Sequence, residues 1–502
     1  MNRREAIKSS VLAGIAGALA SQTAQAQTNE PGILKRARNV ILFAYDGFSW
    51  DDYAVAQFYA RRVLGRPLAL ERLLKTSPNG IQNTNSLTSF VTESSAAGNA
   101  WSTGVKTVNG GLAIHIDGRK LTPIFASAKE MGKAVGLVTT STITHATPAS
   151  FIISNPDRNA EEQIATQYLE FEADVYLGGG TRFFDPTVRR DKRDLYAEFA
   201  AKGYGVVKTK AEMTSANSSK LLGVFSSSHV PYEIDRRFQN VDAPSLNEMT
   251  KKALPILSAS PNGFVLQVEA ARIDHAGHLN DAAALMWDII AADEALETLM
   301  AYVDQNPETV LIVGSDHACG NGALYGTGAT YRASSKGVDL LANQKGSLEL
   351  MQARLGATPS TEQVSEIYRT IKGMAITPAQ AQIVVDAITK RVFLPDGVRY
   401  SIQPSNTLAW VMNQTDAANP DRPNIGFHSG QHTAQPTMFA IYGKNLGTAR
   451  IGLVDNTYTY TLMARLLDIR LTNPVMTEQE ALAILAPKTL TAMLHPNDVV
   501  AV

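Results

Sequence analysis

Cysteine is nearly absent. Cys319 is the only one in 502 residues, so no disulfide can form within the chain. An excess of either charge is also missing, with 46 basic residues against 47 acidic ones. No global field draws this protein to nucleic acid or to an anionic membrane, and any anion must be bound locally. No apolar stretch is long enough to span a bilayer; the run at residues 11–20 falls well short. Internal repeats and low-complexity tracts are absent beyond the N-terminal segment, which excludes solenoids and fibrous architectures.

What is present begins with a targeting pattern. Arg3 and Arg4 precede the apolar run, and Ala24-Gln25-Ala26 has the small residues of a cleavage site. Residues 1–26 are expected to be an export signal, and residues 27–502 a catalytic domain. The paired arginines, with Lys8 and a mild apolar region, favour the twin-arginine route over an ordinary secretory signal. The expected location is periplasmic or secreted, with no membrane attachment once the signal is removed. A hydrophobic content of 44% supports a large core.

Short apolar runs at 39–44, 134–139, 175–177, 264–268, 310–313 and 438–442 read as buried strands. Helical periodicity lies between them, at 121–131 and 281–303. Strands alternating with helices predict an α/β fold, a three-layer α/β/α sandwich around a largely parallel sheet. Ligands in such folds sit outside the carboxyl ends of the strands. Asp46, Glu269 and Asp316 all lie at or just beyond such ends. Residues 330–421 break the rhythm. Two helices at 361–374 and 378–391, with Thr361 and Thr377 as N-caps, suggest an inserted, crown-like cap segment that leaves the core and returns. Its role is either a structural or dimer contact or a rim over the site.

The stretch VTESSAAGNAWSTG, residues 91–104, sets Ser94 at the start of a helix. Helix N-termini favour anions and developing negative charge. The run EAARIDHAGH spaces Asp274 and His278 at i, i+4, on one side of a helical turn. Zinc accepts such carboxylate and imidazole donors. Asp316-His317 follows the strand LIVGS, and HSGQHT offers His432, with His428 as a competitor. Cys319, two residues after His317, is either a further ligand or a small buried neighbour. Thr147 and Glu269 bring oxygen donors suited to magnesium, and Asp46 could bridge. Arg158 offers a guanidinium fork matched to two phosphate oxygens.

Taken together, these blocks resemble the alkaline phosphatase family from about residue 39 to residue 445, apart from the insertion. The nucleophile motif resembles VTESSAAGNAWSTG. ITHATPASF resembles the segment with the magnesium-binding hydroxyl, and Arg158 falls at the family's phosphate-binding arginine. QVEAARIDHAGH, GSDHACG and GQHTAQPTMFAIYG resemble its three metal-ligand blocks. The resemblance implies a two-zinc, one-magnesium site. One zinc would take Asp274, His278 and His432; the other would take Asp46, Asp316, His317 and the Ser94 oxygen. Magnesium would take Asp46, Thr147 and Glu269.

The implied activity is hydrolysis of small phosphate monoesters through a phosphoserine on Ser94, with Arg158, His145 and His275 facing the substrate. No nucleic-acid partner is expected, and the chain is expected to act as a monomer or homodimer. The chain departs from the pattern at Glu93, where the family usually has Asp, and at Ser95, where it usually has Ala. His145 and His275 match one branch of the family, whereas another carries Asp and Lys. Two rival readings are a related phosphodiesterase or sulfatase and a non-catalytic metal- or phosphate-binding protein.

Overall fold

Side-chain alternation along strand β1 (Asn39–Tyr45) sets the layering. Ile41, Phe43 and Tyr45 enter one apolar core, whereas Val40, Leu42 and Ala44 enter another. A strand that is apolar on both faces must be covered on both, which a crossover helix after each parallel strand accomplishes. In this computed structural model, residues 36–390, 404–414, 424–444, 446, 451–470 and 472–492 are described. The expected export signal lies outside them. Among the described residues, no helix is long and apolar enough to cross a membrane.

The remaining strands are β2 (Asn79–Asn83), β3 (Ala134–Thr142), β4 (Val175–Gly179), β5 (Gly205–Val207) and β6 (Leu221–Val224). They continue as β7 (Phe264–Ala270), β8 (Thr309–Ser315), β9 (Ala318–Cys319), β10 (Gly322–Leu324) and β11 (Ile425–Phe427). The last are β12 (His432–Thr433), β13 (Thr437–Tyr442) and β14 (Gly452–Asp455). Ten of them form one sheet, in the order β14-β2-β13-β8-β1-β7-β3-β4-β6-β5. All its described pairings are parallel except those of β13, which runs against β8 and β2. Helices Trp50–Arg62, Leu246–Ser258 and Ala282–Gln305 cover one face. Helices Ile124–Glu130, Glu161–Phe171 and Tyr458–Leu467 cover the other. The architecture is the expected α/β sandwich.

All six expected strands are present. The four sheet strands not foreseen, β2, β5, β6 and β14, are short, and β2 and β14 carry few apolar residues. The helix expected from residue 121 begins at Ile124, because Pro123 sets the entry and lacks an N–H to continue the helix backwards. One expected cap is corrected. Ser360, not Thr361, caps the helix Thr361–Ile367, in a reciprocal capping box with Gln363. The serine hydroxyl sits one residue earlier, where it can reach the Gln363 N–H. Thr377 caps Pro378–Lys390 as expected, accepting from the Gln380 N–H.

Two small antiparallel ladders, β9 with β12 and β10 with β11, zip the chain leaving the core to the chain returning. Between them lies a segment with its own apolar cluster, including Leu348, Met351, Tyr368, Val384 and Leu408. It is tied to the sheet-bearing body by Val338 and Leu341, which join the body's apolar core, and by polar contacts. Lys372 Nζ lies 3.0 Å from Asp281 Oδ1, both side chains essentially inaccessible to solvent. Asp281 also accepts from the Leu348 N–H, and Asp235 from Ser347. A buried pair holds a geometry well, but removing one partner strands a charge. Lys372→Met is therefore expected to lower the stability of the metal-replete protein by about 3 kcal/mol in denaturant titration; a change within experimental error would show that Asp281 is satisfied without the lysine.

Candidate metal centre

Four adjacent strands, β8, β1, β7 and β3, carry the centre at their carboxyl ends. Asp46 follows β1, Glu269 sits near the end of β7 beside Thr139 of β3, and Asp316 follows β8. Gly47 turns the chain after Asp46 with φ of 73°, and a Cβ there would come within 2.5 Å of the Asp274 backbone. Only glycine accepts that conformation and that approach together. The helix Arg272–His278 can therefore lie directly against the strand end.

Three donor groups result, each with ligand atoms within 4.8 Å of one another. The first is Asp274, His278, His432 and Cys319. The second is Asp46, Asp316 and His317. The third is Asp46, His145 and Glu269. In the first, His278 Nε2 lies 3.1 Å from His432 Nε2, and Asp274 carboxylate oxygens lie 3.4 and 3.3 Å from them. Both rings are set by backbone carbonyls: His278 Nδ1–H donates to Gly430 and His432 Nδ1–H to Thr92. That leaves both Nε2 lone pairs aimed at one point, the arrangement metal-binding histidines use. His432 reaches the cluster because β12 pairs with β9, placing it opposite Cys319. His428 is exposed and joins no donor group.

In the second group, His317 Nε2 lies 3.2 Å from Asp316 Oδ2 and 3.6 Å from Asp46 Oδ1. Ser94 Oγ is 3.2 Å from the same nitrogen. The two groups abut, with the His317 and His432 rings stacked at 3.7 Å. Thr147, on the short helix Ala146–Ser150, completes the oxygen donors beside Glu269. Gly98 lets the helix Ser94–Thr103 cross closely here, since a Cβ would meet Ser150 Oγ at 2.3 Å.

Electrostatics agree with a cation site. Asp46 Oδ1 and Oδ2, Asp274 Oδ1, Asp316 Oδ2, Glu269 Oε1, Thr147 Oγ1 and His317 Nδ1 are buried without hydrogen-bond partners. Buried acceptors that point at one another are costly without a cation between them. Burial, and then the neighbouring carboxylates, push the Asp46 and Asp316 carboxyls well above the usual range. Burial brings Glu269 up to about 7. Burial would lower His278, but Asp274 outweighs it and brings the ring up to about 9. Burial would raise Asp274, but His278 and His432 hold it well below the usual range. The residues fit divalent metals: nitrogen, carboxylate and a thiol in one pocket, carboxylates and a hydroxyl in another.

Beside these donor groups stands a second cluster, built around Arg158. Glu93 caps the helix Ser94–Thr103, accepting from the Ser95 and Ala96 N–H groups. It also accepts from the Ser95 hydroxyl and pairs with Arg158. Burial opposes ionisation of Glu93, but Arg158 and those hydrogen bonds hold it down at about 2. Arg158 also donates to His145 Nε2 at 3.0 Å. Burial, then Arg158, push His145 down to about 3, so its ring is neutral. The His275 ring packs 5.7 Å from that of His145. All twelve sequence-derived candidates thus fall within one connected cluster. His229 was missed: its ring centroid lies 4.2 Å from that of His275, and it sits in a loop after β6 with no motif to flag it.

The family model described as alkaline phosphatase matches residues 37–469. The chain belongs to the alkaline phosphatase family. It is thus a phosphatase, and its family is metal-dependent. It is 31% identical over 448 residues to alkaline phosphatase 3 of Bacillus subtilis (strain 168), covering 86% of this chain and 90% of that protein. It is 31% identical over 332 residues to the alkaline phosphatase of Escherichia coli (strain K12), covering 57% of this chain and 70% of that one. Its fold matches the crystal structure of Thermus thermophilus alkaline phosphatase with a TM-score of 0.90 at 62% identity, over 93% of this chain and 98% of that one.

The raised groups predict proton-linked metal binding. Glu269, brought up to about 7, and His278, brought up to about 9, retain protons at neutrality when no cation is bound. Burial and neighbouring carboxylates raise Asp46 and Asp316 as well, and a bound cation displaces such protons. The loaded state binds fewer protons, so divalent-cation affinity is expected to rise with pH until about 9, by about tenfold per pH unit for each proton released. Calorimetry of zinc binding at pH 7 in buffers of different ionisation enthalpy should show net proton release. Equal heats in all buffers would contradict the assignment.

Proposed function

We propose that this phosphatase hydrolyses phosphate monoesters to inorganic phosphate and an alcohol through a covalent phosphoserine on Ser94. The observation that carries the proposal is the setting of Ser94. Its Oγ lies 3.2 Å from His317 Nε2, at the first residue of a ten-residue helix. It is next in sequence to Glu93, which holds Arg158. Two zinc ions would be held by Asp274, His278 and His432 and by Asp46, Asp316 and His317, with one magnesium held by Asp46, Thr147 and Glu269. When bound, such cations neutralise phosphoryl charge and lower the pKa of hydroxyl groups.

The chain's own residues supply the rest. Ser94 Oγ is the nucleophile and forms the bond to phosphorus as the alcohol departs. The positive end of its helix favours the charge on the transferring group. Arg158, oriented by Glu93 and His145, grips two non-bridging oxygens and favours a dianionic monoester over a diester or sulfate ester. Water then cleaves the phosphoserine and restores the hydroxyl. The Arg3-Arg4 leader pattern supports the further proposal that the enzyme is exported by the twin-arginine route.

Ser94→Ala should abolish turnover while inorganic phosphate still binds, whereas Ser95→Ala should retain turnover. An active Ser94→Ala variant would overturn the proposal, and acid-trapped phosphopeptide mapping would locate the ester directly. Arg158→Ala should slow a monoester by about ten- to a hundredfold, the size of a charged hydrogen bond. A diester with the same leaving group should lose less; equal losses would remove the case against a diesterase.

A further inference from the structure

Outside the metal and anion residues, one buried cation links the segment between β10 and β11 to the centre. Arg272 opens the helix that carries Asp274 and His278, and its side chain is only 2% exposed. Its guanidinium lies 3.5 Å from the centre of the buried Tyr232 ring, which fixes its plane. One branch donates to Glu349 Oε2 at 2.6 Å, and the other lies 3.0 Å from His275 Nδ1. Among the described residues, Glu349 is the one carboxylate in hydrogen-bond contact with Arg272. It comes from the helix Leu348–Leu355, whose start is pinned to the catalytic body through Ser347 to Asp235 and Leu348 to Asp281.

The chemistry of this chain of contacts is directional. A guanidinium has donors only, so His275 Nδ1 must accept. The neutral His275 ring then carries its proton on Nε2, on the far side of the ring from Arg272. No hydrogen bond to Nε2 is made among the described residues, and the ring stands beside His145, the partner of Arg158. We propose that Glu349 is a positioning residue for phosphate recognition: through Arg272 it fixes the tautomer and orientation of His275, so that Nε2–H is presented to the substrate's phosphate beside Arg158. The inserted segment is then a working part of the site. This inference rests on the monoesterase reading above and on His275 facing the phosphate.

The test uses the full, metal-loaded enzyme, with inorganic phosphate as the probe. Glu349→Gln keeps the size of the side chain and removes its charge, and Arg272→Lys removes the fork that reaches both partners. Arg272→Lys should weaken phosphate inhibition and raise KM by about tenfold, the scale of a charge-assisted hydrogen bond. Glu349→Gln, at a side chain that is 57% exposed, should do so by about two- to fivefold, each with a smaller change in kcat. Glu349→Asp should restore part of the loss. Zinc content should stay at the wild-type value in all of them. In a His275→Ala background, Glu349→Gln should have no further effect, which a merely structural role would not produce. Additive losses, or unchanged phosphate inhibition in Glu349→Gln, would overturn the inference. If Ser94→Ala remains active, the monoesterase reading itself fails, whatever Glu349 does.

Discussion

Buried carboxylates that face one another at the ends of adjacent strands repel, and the fold must hold them together against that repulsion. Asp46, Asp316 and Glu269 are fully buried, and several of their oxygens face one another without hydrogen bonds. Charges so placed are tolerable only when protonated or shared with cations. The sheet is what forces them together. Parallel strands end on the same side, and adjacent strands β8, β1 and β7 bring their terminal residues to one place. The stable core beneath, apolar on both faces of β1, holds this unfavourable cluster in position.

Around that cluster the fold controls donors rather than acceptors. Backbone carbonyls of Gly430 and Thr92 take one nitrogen of His278 and His432, leaving the other free for metal. Glu93 is shared between its helix N-terminus, Ser95 and Arg158, and so holds the guanidinium rigidly. The longer Glu in place of the family's usual Asp is thus accommodated by the added Ser95 hydroxyl, the chain's second departure in the same motif. The two departures from the motif meet in one contact, because Ser95 donates to the Glu93 carboxylate.

Polar contacts also cross between the segment that separates β10 from β11 and the body. Asp281, Asp235 and Arg272 lie on the body, and Lys372, Ser347 and Glu349 on the segment. Apolar packing alone would let two such bodies slide, whereas directional pairs specify one register. Lys372–Asp281 and Ser347–Asp235 are buried, while Glu349 reaches the buried Arg272 from the surface. The segment has its own apolar cluster and also lends Val338 and Leu341 to the body's core, so apolar and polar contacts act together in its attachment.

The layering, the six principal strands and most of the candidate ligands were legible along the chain. Those features are local: a buried strand shows as an apolar run, strand ends announce Asp46, Glu269 and Asp316, and i, i+4 spacing puts Asp274 and His278 on one turn. The order of motif blocks carried the resemblance for the same reason. Tertiary structure decided what no local period encodes. It carried His432, the histidine the motif block already favoured, to the cluster through the β9–β12 ladder, brought Cys319 against Asp274, and gathered His229 beside His275. It also joined Glu349 to Arg272 from a segment whose sequence showed only two helices and a cap. Such pairings depend on where a long excursion of the chain returns, and that is set by the packing of surfaces far apart in sequence.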